Sequence, residues 1–448
     1  MTVGVEAACF APQTVPLDDA LGDMRARMQR TGQWQPQQMA GRRWPVACVS
    51  LEVTQRCNLD CTLCYLSDSA EAVRDFPLEE IFRRIDMIVQ HYGPGTDVQV
   101  SGGEPTLRRR DELVAIVHRL AELGLRASLF TNGIKATREL LVELAQAGLT
   151  DVAFHVDTTQ QRAGYRNEGE LNALRREYIE RARGLPISVF FNTSVHAGNF
   201  DDVPMLAAFF VGQADVVRFA SFQLQAETGR GVLGTRIDLI DNDNVAQRLQ
   251  QGAGVALNFN VLAAGHHDCN RSAVLLVANG RAHDAFADAG FVQRFMRETA
   301  QLRIDRGTPW RALRSLLWAG LHRPALSAAA VRWALALAWQ MRGDLLAARG
   351  RVHKLTFFSH NFMDACQLDA ERVDACVFMA ITQDGPLSMC AYNAQRDDYL
   401  LRPLATSQGV WQPLREGHDA LPSVPIKWLK GRPRAAALQG RRAAGQTP

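Results

Sequence analysis

Three cysteines, Cys57, Cys61 and Cys64, lie in the run Thr54-Gln55-Arg56-Cys57-Asn58-Leu59-Asp60-Cys61-Thr62-Leu63-Cys64-Tyr65, just after an apolar stretch that reads as a strand. Thiolates hold iron–sulfur clusters, normally four to a cluster. A short loop that supplies only three leaves one iron of a cubane to a distant cysteine or to an exogenous ligand, and an open iron is a place where chemistry can occur. Zinc or buried free thiols are the alternatives. Zinc sites usually pair two Cys-x-x-Cys knuckles at a distance, a spacing this triplet lacks.

The segment Asp97-Val98-Gln99-Val100 reads as a second short strand and ends in Ser101-Gly102-Gly103-Glu104-Pro105-Thr106. Glycines let the backbone approach a ligand with no Cβ in the way, and the Glu104 carboxylate can accept from an ammonium. Taken alone the motif is also an ordinary turn. Downstream of the cysteine loop, it makes the chain resemble the radical S-adenosylmethionine (SAM) enzymes. That resemblance implies a [4Fe-4S] cluster on Cys57, Cys61 and Cys64. It further implies SAM chelated to the unique iron and cleaved by one electron to a 5′-deoxyadenosyl radical, with Gly102, Gly103 and Glu104 at the methionine amino group.

The elements that position these residues repeat as successive βα units, which points to an α/β fold with a parallel sheet. Strands are expected over Ala47–Thr54, Val98–Val100, Arg126–Phe130, Asp151–Val156, Ile187–Phe191 and Val216–Phe222. Helices are expected over Pro77–Tyr92, Arg110–Leu123, Thr137–Ala147, Glu170–Arg183 and Val203–Phe210. Pro77 opens the first of these and Glu79 and Glu80 occupy its first turn, as the macrodipole favours. Six such units make a partial (β/α)6 barrel, whose site is expected at the C-terminal strand ends. Each strand ends there in polar residues or glycine. By the same resemblance, Asn132, Asp157 and Asn192 are expected to contact the ribose, carboxylate or adenine of SAM. His155 reads either as a proton donor or as a satisfied structural histidine.

Past the sixth strand, Gln225-Ala226-Glu227-Thr228-Gly229-Arg230-Gly231 reads as an anion-binding nest or, preferably, as a flexible link. His266-His267-Asp268-Cys269-Asn270 then clusters ligand types, and Cys366, Cys376 and Cys390 follow. Four cysteines suffice for one more cubane, though their dispersal does not assign them. The segments Phe358–Ala365, Asp369–Val373 with Cys376, Asp384-Gly385 and Cys390–Asn393 resemble the C-terminal region of archaeal tetraether lipid synthases and related radical SAM methylases. The likeness spans Val46 to Asn393. It implies an auxiliary [4Fe-4S] cluster on Cys269, Cys376 and Cys390, completed by Cys366 or by a histidine such as His266. Cys9 and Cys48 are too isolated to hold a further rubredoxin-like iron.

The expected organisation is an extension over 1–45, the barrel over 46–225, a helical and auxiliary-cluster region over 226–400 and a basic disordered tail over 401–448. At 448 residues, 47% hydrophobic and 22% charged, the chain can bury a barrel and more. A net charge of +3 gives no reason to expect a nucleic-acid partner. Nine cysteines with three at cluster spacing argue against disulfides, and labile clusters point to the cytoplasm. No secretory signal is expected in Met1–Pro16, and no uncharged run reaches the length of a bilayer span.

From Pro309 to Val352 tryptophan and leucine interleave with arginine. Helix-spaced apolar residues commonly form core, whereas basic amphipathic helices of this kind can also lie in a membrane interface. The functional expectation is C–H activation leading to carbon–carbon bond formation or methyl transfer on a lipid-like or pterin-like substrate. The electron would come from a donor such as a flavodoxin or ferredoxin. A radical SAM enzyme acting on a peptide or small metabolite is the alternative within the class; an iron–sulfur redox or scaffold protein is the alternative outside it.

Overall fold

The computed structural model describes residues 10–33, 46–231, 240–262, 265–299 and 309–415. Eleven strands form one sheet: β1 Cys48–Thr54, β2 Asp97–Gly102, β3 Arg126–Thr131, β4 Leu149–His155, β5 Ser188–Val195, β6 Val217–Leu224, β7 Asn270–Ala278, β8 Arg281–Asp284, β9 His353–Asn361, β10 Phe378–Thr382 and β11 Gly385–Ser388. Their order is β11-β10-β1-β2-β3-β4-β5-β6-β9-β7-β8. From β1 to β6 every pairing is parallel, and the five expected helices connect them as Leu78–Tyr92, Arg110–Glu122, Arg138–Gln146, Glu168–Ala182 and Val203–Gly212. This is the expected partial barrel.

The strands alternate with period two. Val49, Leu51 and Val53 of β1, Val98 and Val100 of β2 and Val152 and Phe154 of β4 are buried in the apolar layer formed with the helices. The intervening residues, such as Ser50, Glu52, Gln99, Ser101 and Ser128, line an interior cavity instead. At about 1.5–3 kcal/mol for each large apolar side chain buried, the outer layer holds the sheet, and the inner face is left to be polar.

The region over 226–400, expected as a helical and auxiliary-cluster region, contains helices such as Asn242–Ala253, Ala289–Glu298 and Pro324–Gln340 and also strands. It supplies both outer flanks of the same sheet. β9 pairs parallel with β6 and carries the antiparallel β7, while β10 pairs parallel with β1 and carries the antiparallel β11. The curled sheet brings β9 and β10 together across a seam, where the Phe378 ring lies 6.2 Å from Phe358 and 4.5 Å from His360.

The 1–45 segment contains a helix, Ala20–Arg30. Its Met24 and Met28 pack on Ala375 and Val377, and Arg27 donates to the Asp374 carbonyl at 2.9 Å. Residues from 401 are not wholly a tail: Leu404–Thr406 pairs with Gly409–Trp411, and Trp411 packs 5.2 Å from Phe76. Cys9 and the chain beyond Arg415 lie outside the described residues.

Candidate active site

The cysteine loop leaves β1 at the C-terminal rim and is fastened to the sheet by its backbone. Gly103 N–H donates to the Thr54 carbonyl and Glu104 N–H to that of Arg56, both at 2.8 Å. Arg56 is held in turn by Asp75 at 2.5 Å and by the Leu107 carbonyl at 2.8 Å. A Cβ on Gly102 would stand 2.0 Å from the Thr54 oxygen, and one on Gly103 2.2 Å from that of Arg56. The glycines are therefore required for the close passage of β2 beneath the cysteine loop, besides lining the ligand space. On the other side Tyr65 donates its hydroxyl to the Gly102 carbonyl at 2.5 Å.

Cys57, Cys61 and Cys64 are each half-buried and line a cavity of about 1120 Å³ together with Gly102 and Gly103. Burial pushes the Cys57 thiol up to about 12 and raises Cys61 too, with the neighbouring cysteines adding to it and Arg230 opposing. Protons must leave when such thiols take a metal. A tetrahedral zinc with Zn–S bonds of about 2.3 Å would draw its sulfurs to about 3.8 Å apart. Among the described residues, only His266, His267 and Asp268 bring three donor atoms within 4.8 Å of one another. The cysteine triplet is thus more open than a single ion requires, which suits a cubane.

The segment from Gln225 to Gly231 is not a loose link. Arg230 N–H donates to the Leu66 carbonyl at 2.8 Å, and a Cβ on Gly229, whose φ is +53°, would stand 2.2 Å from the Tyr65 oxygen. The Arg230 side chain is buried, with Nε 3.4 Å from Cys64 Sγ and a terminal nitrogen 3.0 Å from Glu71. Glu227 N–H reaches Asp364 Oδ1 at 2.5 Å, and the Glu227 carbonyl accepts from Ala365 at 2.9 Å. This strap joins the cysteine loop to the C-terminal region.

Asn132 and Asn192 line the cavity; Glu104 and Asp157 do not. Both carboxylates are fully buried beneath the rim. Glu104 accepts from Thr106 N (3.1 Å), Thr106 Oγ1 (2.5 Å), Thr131 Oγ1 (2.7 Å) and Asn132 N (2.7 Å). Burial pushes its carboxyl up and these donors pull against that. Asp157 accepts from Ser194 N at 2.7 Å, from Thr159 and from His155 Nε2 at 2.7 Å. Burial raises the Asp157 carboxyl, but His155 and the other donors outweigh it and hold the group well below the usual carboxylate range. His155, and not Asp157, faces the cavity. A sequence shows that a carboxylate is present but not which neighbours it will find.

The seam between β9 and β10 gathers the later cysteines. Cys269 precedes β7, Cys376 precedes β10, and Cys390 sits in the helix Met389–Ala394. That helix is tied to β1 through Glu52, which accepts from Tyr392 Oη at 3.0 Å and from Arg396. Burial lifts the Cys269 thiol to about 11, with Arg372 opposing and Cys376 adding; burial also raises Cys390, with Cys376 and Cys269 adding. Arg372 lies among them, its Nε 3.5 Å from Cys269 Sγ. Cys366 is exposed and contributes to none of these shifts. Cys269, Cys376 and Cys390 thus lie close enough to influence one another's thiols. His266 is buried three residues before Cys269, stacked on His267 at 4.6 Å.

Sequence reasoning passed over His360. It is buried among Phe358, Phe362 and Phe378, and burial pushes its imidazole down to about 3. His360 and Ser128 line the cavity, while His360 Nδ1 and the Ser128 hydroxyl oxygen are themselves enclosed and have no hydrogen-bond partner in the protein. Buried polar groups are usually hydrogen-bonded, and these two atoms are exceptions to that rule. The inward alternation of Thr356, Phe358 and His360 was the available signal.

A parallel partial barrel here presents a three-cysteine loop and a glycine pair to one cavity at its C-terminal rim. Residues 51–210 match the radical SAM superfamily, and the chain carries a radical SAM domain. It is 29% identical over 187 residues to the 7,8-dihydro-6-hydroxymethylpterin dimethyltransferase of Methanocaldococcus jannaschii, covering 40% of this chain and 37% of that protein. It is 32% identical over 184 residues to the PqqA peptide cyclase of Xanthomonas euvesicatoria, covering 40% of this chain and 48% of that one. The chain thus spans less than half the length of either relative. Among solved structures, Streptococcus suis SuiB bound to precursor peptide SuiA is similar with a TM-score of 0.35 and 17% identity, covering 50% of this chain and 48% of that one. SuiB bound to S-adenosylmethionine gives 0.35 and 14% over the same shares, 50% and 48%.

Proposed function

We propose that the protein is a radical SAM enzyme that activates a C–H bond for carbon–carbon bond formation or methyl transfer on a lipid-like or pterin-like substrate. The observation that carries this reading is the placement of Cys57, Cys61 and Cys64 with Gly102 and Gly103 on one cavity of about 1120 Å³. When a [4Fe-4S] cluster and SAM are bound there, the chemistry supplied is one-electron cleavage of SAM to methionine and a 5′-deoxyadenosyl radical, the electron coming from a flavodoxin or ferredoxin. The three thiolates hold the cluster after losing their protons. Gly102, Gly103, Asn132 and Asn192 edge the space for SAM, and Glu104 and Asp157 fix that edge from below.

The rest of the cavity belongs to the substrate. Phe130, Phe190, Phe219 and Phe358 line it, and the Phe190, Phe219 and Phe358 rings follow one another at 5.2 and 5.5 Å. Such a wall excludes water and accepts an acyl chain or a flat ring. His155, oriented by Asp157, can hold or release a proton at Nδ1 towards the substrate. Cys269, Cys376 and Cys390, with His266 or an exogenous group in fourth place, would hold an auxiliary [4Fe-4S] cluster at the seam. Contact of the 309–352 segment with a membrane belongs to the same reading.

The likeness to a peptide cyclase favours a second reading, modification of a peptide in the same cavity. Anaerobic reconstitution tests the common part: the parent is expected to form 5′-deoxyadenosine from SAM and a reductant, and the Cys57→Ala, Cys61→Ala, Cys64→Ala triple variant none. Undiminished formation in that variant refutes the assignment. Mass spectrometry of lipid, pterin and peptide extracts from cells with and without the protein then separates the substrate classes.

A further inference from the structure

The helices Pro309–Leu321 and Pro324–Gln340 form a hairpin on the outside of the sheet. Its inner side is accounted for: Leu337 and Met341 pack on Ala278 of β7, and Trp333 stacks 5.4 Å from Phe291 of the helix Ala289–Glu298. The outer side is also apolar. Trp310 is 79% exposed, Trp318 63%, Leu321 80%, Leu335 65% and Trp339 68%. The expectation that this stretch forms core therefore holds for one face only. A helix that is apolar all round is normally enclosed by protein or by lipid, and a contiguous exposed apolar patch marks an interaction site.

Charge narrows the identity of what covers it. From Pro309 to Gly343 the sequence contains Arg311, Arg314, Arg323, Arg332 and Arg342 and no Asp, Glu or Lys. Arg311, Arg314, Arg332 and Arg342 are exposed beside the apolar side chains, and the Arg342 guanidinium lies 4.4 Å over the Trp339 ring. The basic segment from Lys427 to Arg442 also lacks acidic residues, so charge opposes its seating on this face. A second copy of the hairpin would set arginine against arginine. No helix among the described residues is long and apolar enough to cross a membrane.

We propose that this hairpin docks the protein on an anionic bilayer surface, with Trp310, Trp318, Leu321, Leu335 and Trp339 entering the interface and the arginines meeting lipid headgroups. Tryptophan is the side chain suited to the headgroup boundary, and arginine beside it adds attraction to anionic lipid. The proposal specifies the surface and lipid charge of the membrane contact named above, and it does not depend on the radical chemistry or on the substrate.

Flotation of the full chain with vesicles tests it without reading activity. The protein is expected to float with vesicles of phosphatidylglycerol and phosphatidylcholine in equal parts, to float far less with phosphatidylcholine alone, and to be released by salt. Replacing Arg311 and Arg332 by Gln should lower partition by about fivefold for each arginine. Trp318→Ser with Trp339→Ser should weaken binding and reduce the blue shift of tryptophan emission to the share of Trp310, with the circular dichroism of the free protein unchanged. Equal flotation on both vesicle types, or none on either, overturns the proposal. So does a dimer in solution that the Trp318→Ser, Trp339→Ser variant converts to monomer, since the face would then be covered by a second copy.

Discussion

The Arg230 guanidinium donates to Cys64 Sγ at 3.4 Å, from a side chain buried under the cysteine loop. The second cysteine group repeats the arrangement, with Arg372 Nε 3.5 Å from Cys269. A fixed positive charge beside a cluster favours its reduced, more negative state. At an effective dielectric of about 20 and about 8 Å to the centre of a cluster's charge, that is worth on the order of 2 kcal/mol, or roughly 80 mV for one electron. Arg230→Met should therefore move the midpoint potential of the loop cluster negative by about that amount, and Arg230→Lys by much less. An EPR-monitored redox titration reads both. Equal potentials in Arg230→Met and the parent would show that the guanidinium only braces the loop.

The seam cysteines should hold iron independently of the loop. Cys376→Ala with Cys390→Ala is expected to lower iron and sulfide by about one cubane, about four irons per chain, while SAM is still cleaved in an uncoupled reaction. Cys366→Ala, at an exposed thiol apart from the others, should leave the iron content unchanged. Full iron in the double variant would make this a single-cluster protein whose C-terminal strands only shape the cavity.

These sites differ in how far the sequence reveals them. The cysteine loop, the glycine pair and the first six strands were legible because their signals are local: apolar runs with period two, a helix-opening Pro77, fixed ligand spacing. The flanking strands were not, since the parallel pairing of Phe219 with Thr356 and of Cys48 with Phe378 joins residues distant in sequence. Arg230 read as part of a link because only tertiary packing buries it. The tryptophans of the hairpin carry the same spacing whether the face they form is covered or bare. The cysteine-loop side of the cavity was thus largely readable, and the seam that completes the cavity was not.

Glu104 should act on SAM through the residues it fastens. Glu104→Gln keeps the shape but gives the donor Asn132 N–H, now 2.7 Å from the carboxylate, either another donor or a poorer acceptor. Losing a buried charge-assisted hydrogen bond costs about 1.5–3 kcal/mol. A lower melting temperature is expected, together with SAM affinity weakened roughly tenfold and iron content retained. Unchanged SAM affinity at a lowered melting temperature would confine Glu104 to the stability of the turn.

His360 supplies a pH dependence of stability whose sign follows from its burial. In the fold its imidazole is pushed down to about 3, whereas in the unfolded chain it titrates near 6.5. Above about 6.5 it is neutral in both states and contributes nothing to the slope. As pH falls below that value the unfolded chain takes up a proton that the folded protein refuses, so stability declines until the folded group itself titrates. By about pH 5.5, where roughly ten unfolded chains in eleven carry the proton, the loss is about 1.4 kcal/mol. His360→Gln, which keeps a polar atom but no titration, should remove this part of the decline between about pH 7 and 5. Anaerobic urea unfolding of both proteins across that range measures it. Parallel pH profiles would mean that the His360 ring already holds its proton inside the fold, paired through the cavity it faces.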